Sequence, residues 1–364
     1  MDPLTRREFF RRAAIPGAIS AIAPSVLLAE GSAANLLRSL GAFSQAEYRE
    51  PHIAFPKAPR DRVSVSSYPF REFFQGKHDS AVITTAGKMA IKDFAAHVWE
   101  KFQIHRIEPW SEHFLSLEHG YLDEIRAGVE KAGSSIVNIA VDGEDSPYAA
   151  DREERDRAIS FSKKWIDAAV RIGSPSVRTN IPPASDSKPD VQRLAESLSH
   201  VADYGAEKNI VVHLENDNPV SEDPFFLAQV IDEVNSPWLH ALPDFGNSLA
   251  ALPADQAYKG IAALFYRAYG ISHVKDSTTT REGKIVQVDV ARTFSIAAQN
   301  GYAGFFSMEF EGQGDPYAGT AHLIELTIQN LSKKSAASNP DQSSPQGRFY
   351  ESARGGLASR SLRV

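Results

Sequence analysis

Four apolar segments in the second half of the chain each carry, near their C-terminal ends, a side chain that can bind a cation or move a proton. IVVHLEN (210–216) closes on Glu215 and LHALPDFGN (239–247) on Asp244. YGISHVKDS (269–277) carries His273, Lys275 and Asp276, and GFFSMEFEG (304–312) carries Glu309 and Glu311. Three carboxylates and one imidazole, Glu215, Asp244, His273 and Glu309, make an oxygen-rich donor set with a single nitrogen. Such a set suits one divalent ion, Mn2+, Mg2+, Co2+ or Zn2+, and leaves positions for substrate oxygens. Without a cation, gathering the carboxylates is costly, because like charges repel and their pKa values rise. Any one of these residues alone reads as a polar strand end or a local salt bridge. Four in successive segments point to a metal site.

The segments belong to an alternating pattern. RVSVSS (62–67) reads as a strand, and 85–102 places Met89, Ile91, Phe94, Val98 and Phe102 at helical spacing. Strands at 103–110, 134–143 and 174–183 alternate with helices at 121–133, 152–173 and 191–209. The fifth strand is IVVHLEN, followed by a helix at 223–235, a strand at 239–242 and a helix at 256–270. ISHVKDS, a helix at 288–301, GFFSMEF and a helix at 320–334 complete eight strand–helix units. Eight units over 62–334 fit a single (β/α)8 TIM barrel, which takes about 250 residues. The rival, an open doubly wound sheet, calls for a glycine-rich nucleotide loop after its first strand. The loop here is SYPFREFFQGKH, with no such fingerprint. In a TIM barrel the C-terminal strand ends form one face, so the four ligand candidates can converge there.

Other residues fall at the same face. IEPWSEHF (107–114) ends the second strand with Glu108, Trp110 and His113. Trp110 offers a platform for a sugar ring, or else a core residue, and His113 a proton shuttle. Arg178 and Asn180 end the fourth strand, where the guanidinium can bind hydroxyls or a carboxylate. Phe70 and Arg71 are candidates to cover the pocket. His213, two residues before Glu215, points the same way but deeper, and reads as a core or supporting histidine.

The chain has 364 residues, a net charge of −7 and no basic stripe, which disfavours nucleic acid as a partner. It has no cysteine, which excludes disulfides, thiolate nucleophiles and zinc–thiolate sites. Residues 1–34 have a basic start, a short apolar stretch broken by Pro16, Gly17 and Pro24, then small residues, the layout of an export signal. Thr5-Arg6-Arg7-Glu8-Phe9-Phe10-Arg11 resembles a twin-arginine signal, which implies the twin-arginine export machinery as a partner and a periplasmic location. An uncut signal would act as a membrane tether. Residues 35–61 read as a linker, and 335–364, rich in Ser, Gly, Pro and Arg, as a flexible tail in which Phe349 and Tyr350 can dock.

Across about residues 60–333 the sequence resembles the xylose isomerase-like barrel superfamily, in the branch of sugar phosphate isomerases and epimerases. The resemblance rests on Leu214-Glu215-Asn216, on Asp244-x-Gly246-Asn247, on His273-Val274-Lys275-Asp276 and on Glu309. It implies that Glu215, Asp244, His273 and Glu309 hold one divalent ion. It also implies that the ion stabilises an enediolate made from an α-hydroxyketone. Glu215 and Glu309 would then face opposite sides of the sugar, one removing the proton and the other returning it. Two positions depart from the related ketose epimerases. Asn247 stands where they carry a histidine, and Thr279, with Arg281 just beyond, stands near where they carry an arginine. The His-Val-Lys-Asp pattern is nearer to the wider group of inosose dehydratases and isomerases and of lyases acting on 3-keto-glycosides. There Lys275 would hold a substrate oxygen or polarise the carbonyl. The alternative for Lys275 is a salt bridge with Asp276.

The expectation is an exported metal-dependent isomerase or epimerase acting on a free sugar, a polyol ketone or an oxidised glycoside. The alternative is a lyase cleaving 3-keto-glycosides by β-elimination. An endonuclease IV-like phosphodiesterase would need more histidine ligands than His273 alone, and a non-catalytic sugar-binding barrel would have no need of a complete ligand set. Homo-oligomers are common among such barrels.

Overall fold

The computed structural model describes residues 50–76, 88–217 and 219–335. The segment read as an export signal, most of the expected linker and the expected tail beyond Ser335 lie outside the described residues, as do Phe349 and Tyr350.

The strands, in chain order, are β1 (Val63–Ser66), β2 (Arg106–Glu108), β3 (Ser135–Ile136), β4 (Ile139–Val141), β5 (Ser176–Thr179), β6 (Val211–Glu215), β7 (Leu239–Leu242), β8 (Ile271–Val274), β9 (Ser277–Thr279), β10 (Ile285–Gln287) and β11 (Phe305–Met308). The helices are α1 (Phe94–Phe102), α2 (His119–Lys131), α3 (Arg152–Ile172), α4 (Val191–Lys208), α5 (Pro224–Val234), α6 (Asn247–Ala251), α7 (Ala254–Phe265), α8 (Val290–Gln299) and α9 (Pro316–Ser335). Parallel pairing runs β3-β2-β1-β11-β8 in one arc and β4-β5-β6-β7 in the other. β1 pairs with β11, so the last strand lies beside the first. The arcs meet at two seams. At one, Trp110 bridges Ala140. At the other, Asp244 bridges His273, with the His273 amide donating to Pro243 and the Phe245 amide to His273. The result is a closed (β/α)8 barrel.

Alternation along the strands builds two cores. Val63, Val65, Ile107, Val177 and Val212 join the large cluster between barrel and helices. Their neighbours Ser64, Ser66, Glu108, Arg178 and His213 face the opposite way, because side chains alternate with period two. At the N-terminal end of the barrel a smaller apolar cluster, Val137, Leu242, Ile271 and Phe305, is covered by Ile53 and Phe55. Helix ends follow local chemistry. Asp151, Asp190, Asp223 and Asp289 cap α3, α4, α5 and α8 by accepting from backbone amides of the first turn. Gly173, at φ 80°, ends α3.

Several expectations need correction. The third strand is interrupted at Val137 and Asn138, so 134–143 yields two short strands. The helix expected at 85–102 begins at Phe94, after a 3-10 turn at Ile91–Asp93, and residues 85–87 lie outside the described residues. The antiparallel β9–β10 hairpin and the short α6 were not anticipated. Phe70 does not cover a pocket: it is fully buried against Phe94, Phe102 and Tyr317. Arg71 lies over the Tyr68 ring.

Candidate metal centre

Glu215 is the last residue of β6, Asp244 lies two residues beyond β7, and His273 sits in β8. Glu309 directly follows β11, its amide donating to Val274 of the neighbouring strand. One ligand atom from each of these four side chains lies within 4.8 Å of the other three, and all four residues are buried. His273 Nδ1 is 2.7 Å from Glu215 Oε1 and 3.2 Å from Glu309 Oε2. The opposite ring nitrogen, Nε2, is 2.9 Å from Glu108 Oε2.

The turn after β7 prepares Asp244. Its Oδ1 accepts from the amides of Gly246 and Asn247 at 2.8 and 2.6 Å. Asn216 braces the same turn, accepting from the Asp244 amide and donating to the Asp244 carbonyl and to Ser248 Oγ. Oδ2 is left buried and makes no hydrogen bond among the described residues. Its near neighbour is the Lys275 ammonium at 3.4 Å. Gly246 is required by close approach, since a Cβ there would stand 2.9 Å from Lys275 Cδ.

Lys275 is 1% exposed. Its Nζ lies 2.9 Å from Glu311 Oε2 and 3.1 Å from Glu309 Oε2, and it donates to Asn247 Oδ1 at 3.1 Å. The alternative of a salt bridge with Asp276 is thus replaced by pairing with Asp244, Glu309 and Glu311. On the other flank, Arg178 Nε is 3.1 Å from Glu215 Oε2, and Arg178 Nη1 is paired with Asp142. Asp142 Oδ2 in turn accepts from Trp110 Nε1 at 2.6 Å.

The electrostatics follow from this crowding. Burial pushes the Glu215 carboxyl up to about 7, against the pull of His273 and Arg178. Burial also pushes Asp244 up to about 7, with Lys275 opposing and the Glu215 and Glu309 charges adding to the rise. Burial acts on Glu309 in the same sense, but His273 and Lys275 outweigh it and hold this carboxyl below the usual carboxylate range. His273 and Lys275 are both raised well above their ordinary values, because the surrounding carboxylates overcome the cost of burying their charge. Three buried carboxylates, one imidazole nitrogen and an unsatisfied Asp244 oxygen fit a hard divalent cation.

The expected substrate-binding residues divide. Glu108 is fully buried, and it contacts His273 and Asn138. His113 is fully buried, stacked on Phe74 at 4.1 Å and bonded to Ser67 Oγ through Nδ1. Arg178 is committed to Asp142 and Glu215, so its guanidinium orients a protein carboxylate. Trp110 is 7% exposed, with its ring edge-on to Tyr68, and it leaves little face for a sugar. Asn247 remains at the rim, half-buried, with its amide oxygen on Lys275. His213 lies in the barrel, where Nε2 accepts from the Gly270 amide, and burial holds its pKa well below the ordinary value. Sequence reasoning missed Asp142 and Asn138. The signal for Asp142 was present, since it closes the apolar run of the third strand just as Glu215 closes the fifth.

Comparison with known proteins fits this geometry. The profile of the family described as Xylose isomerase-like TIM barrel matches residues 92–330. No curated protein matches the sequence. Among solved structures, a xylose isomerase-like TIM barrel protein from Mycobacterium smegmatis in complex with magnesium is similar at 18% identity and a TM-score of 0.57, covering 77% of this chain and 97% of its own. D-allulose 3-epimerase from Methylomonas sp. in complex with D-allulose is similar at 15% identity and a TM-score of 0.56, covering 77% and 99%. The apo form of 3-keto-D-glucoside 4-epimerase from E. coli is similar at 13% identity and a TM-score of 0.54, covering 74% and 99%. At these identities the likeness establishes the fold alone.

Proposed function

Since the chain belongs to the Xylose isomerase-like TIM barrel family, we propose that it is a divalent-metal-dependent carbohydrate isomerase or epimerase that removes a proton next to a carbonyl. The observation that carries this reading is the convergence of Glu215, Asp244, His273 and Glu309 in one buried cluster at the C-terminal ends of four neighbouring strands. Solved neighbours named as epimerases of allulose and of 3-keto-glucoside support the same class of chemistry. A bound ion would supply Lewis-acid stabilisation of the negative charge that develops on a substrate carbonyl oxygen.

The chain's own groups perform the proton transfers. Glu215 and Glu309 are the two carboxylates of the cluster suited to this exchange, one accepting the proton from carbon and the other returning it. Arg178 and Asp142 keep Glu215 oriented through its outer oxygen. Lys275 places an ammonium beside Glu309, where it can donate to a substrate oxygen. The substrate class is a free sugar, a polyol ketone or an oxidised glycoside. The basic and apolar pattern of residues 4–34, including Arg6 and Arg7, supports export through the twin-arginine machinery to the periplasm.

A second reading, β-elimination from a 3-keto-glycoside, is favoured by the Lys275–Asn247 hydrogen bond, in which Asn247 stands where a ketose epimerase would carry histidine. In that reaction the same carbon loses its proton, the bond to the leaving oxygen breaks, and a protonated side chain supplies that oxygen with a proton.

The test combines elemental analysis with isotope exchange. Wild type is expected to hold about one divalent ion per chain. Folded His273→Ala and Glu309→Ala variants are expected to lose it or bind it far more weakly. Wild type should also wash deuterium from D2O into keto-sugars, or, under the second reading, release an aglycone from 3-keto-glycosides. A reconstituted wild type that binds metal no better than the variants would overturn the assignment.

A further inference from the structure

Glu108 offers an explanation of which histidine nitrogen faces the cluster. It ends β2, is fully buried, and lies on the far side of the His273 ring from Glu215 and Glu309. We propose that Glu108 is a positioning residue that fixes His273 as the tautomer protonated at Nε2, and so dedicates Nδ1 to the cation. This inference rests on the reading of His273 as a metal ligand.

The hydrogen bonds on the Glu108 side of the ring follow from the carboxylate, which only accepts. Burial favours the neutral form of Glu108, but His273 outweighs it and keeps this carboxyl ionised, so the Asn138 NH2 group is the one that meets Oε1, at 2.7 Å. Asn138 Oδ1 then faces the Ser176 hydroxyl at 2.7 Å. An ionised carboxylate only accepts, so Oε2, 2.9 Å from His273 Nε2, requires a proton on that nitrogen. In the neutral imidazole that a metal requires, with the one N–H kept at Nε2, the Nδ1 lone pair is left for the side where Glu215 Oε1 and Glu309 Oε2 lie, 2.7 and 3.2 Å away. A cation among these oxygens would be met by that lone pair. The interruption of the third strand acquires a reason in the same network, because Asn138, the residue between β3 and β4, is the clamp on Glu108. A carboxylate behind a ligating histidine also raises the basicity of the ligand.

Substitution makes the inference sharp. In Glu108→Gln, with Asn138 held by Ser176, the new amide must turn its oxygen to Asn138 and its NH2 to His273 Nε2. That orientation demands a lone pair on Nε2 and drives the proton onto Nδ1, the atom that must bind metal.

The experiment is nitrogen NMR of Zn2+-loaded protein labelled with 15N-histidine, beside Zn2+ affinity by calorimetry. Wild type is expected to show His273 with Nδ1 on the metal and the proton on Nε2, which needs no variant to fold. Glu108→Gln with native circular dichroism is expected to bind Zn2+ about 10–100-fold more weakly. Glu108→Asp, which keeps the charge, is expected to recover part of that loss. A wild type that takes up Zn2+ through Nε2 overturns the inference but leaves the metal site standing, as does a Gln variant with unchanged affinity. A wild type that takes up no Zn2+ overturns both.

Discussion

At Asp244 the two oxygens of one carboxylate have separate tasks. Oδ1 is consumed by the turn, accepting from Gly246 and Asn247, while Oδ2 is buried without a hydrogen bond among the described residues. Gly246 keeps the turn tight against Lys275. In Gly246→Ala the added methyl meets the lysine stem, so the stem that holds the ammonium beside Glu309 and Asp244 must shift. We expect a loss of about 1–3 kcal/mol in urea unfolding, with a larger proportional fall in turnover than in stability. The site also sets a pH dependence. Glu215 and Asp244, raised to about 7 by burial, must lose protons to bind a cation, and His273, held protonated by its carboxylates, must lose one too. Metal affinity should therefore fall as pH drops through 7, and binding at neutral pH should release protons. Calorimetry in buffers of different ionisation enthalpy measures that release; a binding enthalpy independent of buffer would contradict it.

At the scale of elements, short strands deliver long-range precision. The seam between β7 and β8 is not a continuous ladder, yet its bridge joins Asp244 to His273, so two ligand candidates are set by one pairing. The helices hold this frame through local chemistry. Asp223 accepts from the amides of Phe225 and Phe226 at the start of α5. Asp223→Ala should cost about 1 kcal/mol, read as a lower urea midpoint with unchanged slope. The irregular segment before the barrel has a different duty. Phe55 packs edge-on against Tyr269 and Phe305 and covers the lower apolar cluster. Phe55→Ala should cost about 2–3 kcal/mol, because the ring is half-buried, and should leave metal affinity unchanged. The helices α3, α4 and α5 were legible to within a residue or two, because each has an Asp cap, a 3.6-residue apolar stripe and a left-handed end at Gly173, Asn209 or Asn235. The β9–β10 hairpin was not, since apolar–polar alternation is absent from STTTREGKIVQ and its pairing depends on a turn at Gly283.

For the whole molecule, burial is divided by the barrel wall. Apolar residues fill the space between strands and helices, while the upper barrel interior is given to Ser64, Ser307, His213, Glu108 and Arg178. Ion pairing offsets part of the cost of an interior so charged, and a cation would relieve its remaining repulsion. Metal binding should therefore raise global stability by mass action. At a free metal concentration 100 times Kd the gain is about 2.7 kcal/mol. Thermal unfolding of wild type should shift upward with metal, and His273→Ala should show little shift. No described helix is long and apolar enough to cross a membrane.

The sequence by itself determined the barrel and the residues that meet at its mouth. Eight alternating units allow few other closed solutions, and carboxylates or imidazole at successive strand ends must share one face whatever the fine packing. What only the tertiary structure decided is the direction each side chain takes once there. Glu108, Trp110, His113 and Arg178 stand at strand ends as Glu215 does, and no spacing along the chain separates a residue that faces the cavity from one held behind it. That choice is made by partners distant in sequence: Asn138 and His273 claim Glu108, Phe74 claims His113, and Asp142 claims both Arg178 and Trp110. A buried charge goes where its partner is, and the partner's place is known only when the barrel has closed.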